Sequence, residues 1–144
     1  MLLGNILVLR LFSLKDFMNI LTTQLFPVGQ VVASSRFFYS HLGIVTDRWK
    51  DGEQMVISCS NRHSMVVEES MSAFRQGNSI ERRPSPSALS VQEVLARARR
   101  KLGQRYDLFN WNCEHFVYES FGHPKQSPQL QLAVFVIGIT ALLR

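Results

Sequence analysis

Trp111-Asn112-Cys113-Glu114-His115-Phe116-Val117 puts a cysteine where a helix starts. Asn112 is a good N-cap residue, because its side-chain oxygen accepts from the first free N–H groups of a helix. Phe116, Val117 and Phe121 supply an apolar face at helical spacing, and Tyr106 to Asn110 reads as an irregular approach segment. Cys113 therefore falls in the first turn. There unpaired N–H groups and the positive end of the helix dipole favour thiolate over thiol, which makes the cysteine a candidate nucleophile.

A nucleophile needs a base. Tyr39-Ser40-His41-Leu42-Gly43-Ile44-Val45-Thr46-Asp47 reads as the end of a loop followed by a short strand, with His41 at the strand's start. A histidine there can take the thiol proton and return it to a leaving group or to water. Together, His-Leu-Gly-Ile-Val and the downstream Asn-Cys-Glu-His-Phe resemble the lecithin:retinol acyltransferase-like family, which includes the HRAS-like suppressor phospholipase/acyltransferases. The resemblance covers residues 27–121. It implies an active site similar to that of the NlpC-type cysteine peptidases but circularly permuted, so that the histidine precedes the cysteine, as it does in this chain.

The third member is a departure. Relatives usually carry a second histidine on the next strand, which orients the first. Here that place falls on Ser58, with Asn61 and His63 beyond it as alternatives. A serine holds an imidazole tautomer through one hydrogen bond but stabilises an imidazolium less than a better acceptor would. The expected catalytic residues are thus Cys113, His41 and Ser58. Asn112 and Tyr39 are expected in the substrate or oxyanion environment, and the N–H of Cys113 is the natural oxyanion donor. His115, about 200° round the helix from Cys113, should pack or hydrogen-bond behind the site.

A chain of 144 residues with 46% hydrophobic content supports one domain with a real core. Residues 27–128 are expected to form it, between an apolar segment at 1–26 and an apolar tail at 129–144. Arg10, Lys15 and Asp16 interrupt the first segment, so it reads as an interfacial or docking helix and not as a membrane span. The run from Leu132 to Leu143 spans only about 18 Å as a helix, short of the ~30 Å hydrocarbon core. The resemblance implies a membrane anchor there; the alternative is a helix completing the core.

Between the ends, strands are expected at Gln30 to Ala33, His41 to Thr46, Gln54 to Ser60, Met65 to Glu68 and Asn78 to Arg82. Asp51-Gly52 is a hairpin signal. Helices are expected from Ser70 to Arg75 and from Val91 to Leu102, the latter with a Ser90/Glu93 capping box and a stop at Gly103. The fold class is α+β, a small antiparallel sheet packed against helices. The resemblance makes it a permuted NlpC-like, papain-like thiol hydrolase.

The net charge of +5 is uneven, with Arg97, Arg99, Arg100, Lys101 and Arg105 close together. Such a cluster reads as a solvated helix face or as a contact for anionic headgroups. It lacks interleaved aromatics, so no nucleic-acid partner is expected. Without Cys-x-x-Cys or His-x-x-x-His spacing no metal is expected, and without a phosphate-cradling glycine loop no cofactor. Cys59 lies in an apolar strand and reads as a structural thiol. A catalytic thiol must stay reduced, which favours a membrane-associated protein whose domain faces the cytoplasm. The reading is a cysteine acyltransferase or phospholipase-like hydrolase acting on lipid esters. An NlpC-type amidase or peptidase and a weakly active membrane-associated interaction protein are the alternatives.

Overall fold

The computed structural model of the chain describes residues 26–143. The docking helix expected at 1–26 therefore lies outside the described residues, except for Phe26. Five strands form one antiparallel sheet: β1 (Val31–Ser35), β2 (Ser40–Lys50), β3 (Glu53–Ser60), β4 (Met65–Ser70) and β5 (Ile80–Arg83). Their order is β4-β3-β2-β1-β5. Four helices are described: α1 (Met71–Arg75), α2 (Val91–Arg99), α3 (Cys113–Ser120) and α4 (Pro128–Leu142). The fold is α+β, as expected.

Boundaries differ from expectation where local chemistry allows. Strand β2 runs on to Lys50, because Asp51 and Gly52 at φ 51° and 80° turn the chain only there. Helix α2 stops at Arg99, three residues before Leu102. Lys101 and Leu102 bond back to Ala98 and Arg99 in tighter i→i+3 fashion, and Gly103 at φ 82° ends the run.

The alternation of strand side chains gives the sheet two buried faces. On one, Val32, Val45 and Val56 pack with Phe26 and with Phe74 of α1. On the other, Ile44, Ile57 and Cys59 pack with Val94 and Leu95 of α2 and with Phe116 and Val117 of α3. Phe74 and Phe116 are fully buried, each contributing roughly 2–3 kcal/mol of transfer free energy.

One gap in the sheet positions the site. Pairing of β2 with β3 extends toward the start of β2 only as far as Ile44↔Ile57. Val45 directs its N–H and C=O toward Gln30 and Gly29, on the β1 side. By alternation, Ser40 and Leu42 direct theirs the other way, into the opening where β3 has left.

Candidate active site

Helix α3 begins with a reciprocal cap. Oδ1 of Asn112 accepts the N–H groups of Glu114 (3.0 Å) and His115 (3.1 Å), while Nδ1 of His115 accepts the N–H of Asn112 (3.1 Å). His115 therefore serves the helix start from behind the site. Cys113 is the first helical residue, and this cap fixes its position. The Asn112 amide donates to Leu108 O and Ser127 Oγ, both at 3.0 Å, so its donors are already committed although it lines the cavity described below.

The thiol enters the opening beside β2. Sγ of Cys113 lies 4.0 Å from the Ser40 carbonyl oxygen. The N–H groups of Leu42, Cys113 and Glu114 all favour its anion. Burial nevertheless outweighs them and, with the Glu114 carboxylate adding to it, pushes the thiol up to about 11. The helix-dipole effect expected from the sequence is thus outweighed in direction, because stripping water from the sulfur costs more than a few N–H groups return. Cys59 is a buried thiol donating to Trp111 O at 3.4 Å, and burial pushes it up to about 12.

His41 projects on the Phe74 side of β2, its ring centroid 5.0 Å from that of Phe74. Burial first, then the cations of Arg36 and Arg62, lowers its pKa to about 4, so the imidazole is neutral. Nε2 meets Ser58 Oγ at 3.2 Å, and Nδ1 has no hydrogen-bond partner among the described residues. No hydrogen bond joins imidazole and thiol; the sulfur touches the main chain on either side of His41 instead. Of the three residues weighed for the third position, Ser58 is the one that touches His41. Asn61 donates to the Tyr39 hydroxyl at 3.3 Å, and His63 stands 3.4 Å from the Glu69 carboxylate.

Cys113 faces a cavity of about 290 Å³, with Phe38, Leu108, Leu130 and Ala133 as apolar walls and Tyr39, Tyr106 and Asn61 as polar ones. Burial and then the neighbouring thiol push Tyr106 up to about 12, so its hydroxyl stays a donor. Phe37 and Phe38 are about nine-tenths exposed, Phe109 is exposed nearby in sequence to Leu108, and α4 buries none of its residues. No described helix is long and apolar enough to cross a membrane. Of the basic cluster, Arg99 is spent on Asp47 and Glu68, and Lys101 on Glu119.

Gln129 was not legible in the sequence as a participant, and Glu114 was legible only through its place beside the cysteine. The Gln129 side chain bonds both main-chain groups of Ser40, accepting its N–H (2.8 Å) and donating to its C=O (3.0 Å). Glu114 accepts from the Ser127 hydroxyl and from the Gln129 N–H (3.0 Å). Gln129 is 89 residues from Ser40, so no local pattern announces the pair. For Glu114, its place directly after Cys113 was the available signal.

No curated protein matches the chain. A family model described as Lecithin retinol acyltransferase matches residues 24–122, a span that takes in His41, Ser58 and the whole Asn112–Phe116 turn. The chain belongs to the lecithin retinol acyltransferase family.

Proposed function

We propose that the protein transfers or hydrolyses acyl groups from lipid esters through an acyl-enzyme on Cys113, at a membrane surface. Family membership supports acyl transfer or thiol hydrolysis in the broad sense. The observation that carries the narrower reading is the placement of Cys113. It is the first residue of α3, with three N–H groups turned toward its sulfur, and it faces an apolar cavity walled in part by the exposed helix α4. The largely apolar lining of that cavity supports an acyl chain over a peptide, and so a lipid ester over the amidase alternative.

In this reading the thiol proton passes to Nδ1 of His41, the ring nitrogen without a hydrogen-bond partner among the described residues, while Ser58 holds Nε2. The sulfur bonds to the ester carbonyl carbon, and the N–H of Cys113 stabilises the oxyanion. The tetrahedral species collapses, the C–O bond breaks, and the leaving alcohol takes the proton from His41. Water, an amine or an alcohol then gives His41 a proton, attacks the thioester and releases the thiol. Because both groups rest neutral, proton transfer accompanies attack and does not precede it.

Beyond Gln131, α4 is apolar all round apart from Thr140 and has no buried residue, which matches a lipid medium and supports membrane association. One observation favours the weakly active alternative: His41 has a serine, Ser58, as its partner, and burial shifts the histidine down and the thiol up, which makes the proton transfer harder. The test is incubation with phospholipid vesicles, followed by mass analysis of Cys113 and fatty-acid release. A thioester on Cys113, with release lost in Cys113→Ala, is the expected result. Release unchanged in Cys113→Ala refutes the assignment.

A further inference from the structure

We propose that Gln129 is a positioning residue for the Cys113 thiol, replacing with its side chain the strand that β2 lacks beside the site. The proposal rests on Cys113 being the nucleophile but not on the lipid substrate. Strand β2 emerges from its pairing with β3 at Ile44, and the edge groups of Ser40 and Leu42 face the opening. This edge is part-buried at Ser40, and a main-chain N–H or C=O shielded from water without a partner is costly. The Gln129 amide supplies both for Ser40, in the donor and acceptor pattern of a neighbouring strand.

The thiol depends on the same two residues of β2. Its sulfur lies against Ser40 C=O, and the Leu42 N–H is the strongest of the groups favouring its anion. Holding Ser40 therefore holds Leu42 in line with the sulfur. The clasp is closed from the other side by the carboxylate of Glu114, next to Cys113, which takes the Gln129 N–H. Gln129 is thus bonded to the chain just before His41 and to the residue just after Cys113, and it belongs to the first turn of α4.

If Gln129 positions the Leu42 N–H, losing its amide weakens the stabilisation of the anion and moves the thiol pKa further up. The experiment is the pH dependence of iodoacetamide alkylation of Cys113, followed by mass spectrometry on the full chain without substrate. Gln129→Ala should shift the profile to higher pH and slow alkylation roughly fivefold at a fixed alkaline pH, the factor expected for one hydrogen bond. Gln129→Glu, which keeps the acceptor for Ser40 N–H but loses the donor and adds a charge, should shift it further. Esterase turnover should fall in kcat with little change in KM.

A Gln129→Ala profile that overlays the wild type overturns the proposal, even if the variant melts at a lower temperature, because a purely structural role moves stability and not the profile. If the alanine variant fails to fold, Gln129→Met, which keeps the length and adds no charge, decides by the same criterion. The nucleophile assignment is tested separately by Cys113→Ala, so the two failures are distinguishable.

Discussion

Phe74 lies so close over Gly43 that a β-carbon there would stand 2.8 Å from its Cε2, and 2.5 Å from Cγ1 of Val56. Gly43 is two residues from His41 on the same face of β2, and Phe74 stacks on the His41 ring. Absence of a side chain thus lets α1 settle on the sheet and press the imidazole toward Ser58. Gly43→Ala should destabilise the fold by about 2–3 kcal/mol, the cost of overpacking a tight contact, read from urea denaturation. A loss below ~0.5 kcal/mol would mean that α1 gives way easily.

Stability should respond to pH through His41. The native imidazole is lowered from 6.5 to about 4, whereas the unfolded chain takes up its proton near 6.5. Between those values the unfolded state holds more protons, so stability present above pH 6.5 is lost as the pH falls toward 4. The full effect is about 3 kcal/mol. In His41→Gln that part of the slope should vanish from denaturation curves taken across the window. Parallel slopes for the two proteins would count against a buried neutral histidine.

Truncation should separate two roles of α4. Ending the chain after Pro128 removes Gln129, Leu130 and Ala133, which bond Ser40 or line the cavity, so Cys113 reactivity should change along with membrane binding. Ending it after Ala133 leaves those three in place and should reduce only partition to vesicles, scored by flotation. Gln129 lies just past the boundary expected at Pro128, yet its side chain bonds Ser40.

Phe37→Ser with Phe38→Ser should weaken flotation with phosphatidylcholine vesicles, since the two rings expose nearly all their surface beside the cavity mouth. Each ring buried in lipid contributes about 2 kcal/mol, so the double variant should lose most of its binding when the two full-length chains are compared. Unchanged flotation would show that these rings do not reach the lipid.

Much of this was readable in the chain because the signals were short-range. Asn112 and Cys113 declared the helix start, Ser90 with Glu93 the next cap, and Asp51-Gly52 the hairpin. What escaped depends on neighbours distant in sequence. The Gln129–Ser40 clasp exists because β3 leaves β2 early, and the direction of the Cys113 shift follows from how fully α3 and the sheet exclude water. The helix-dipole argument named a real influence on the sulfur; only the packed structure shows that desolvation is larger.

The neutral thiol at about 11 bears on how such a protein is detected. Electrophilic probes that count cysteines in cell extracts report thiolate abundance, and burial shifts this sulfur toward the thiol. A survey of that kind underweights Cys113 relative to exposed thiols. Inhibitors selected for carbonyl geometry and chain fit, which recruit the proton transfer as a substrate does, are the better starting point for chemical tools.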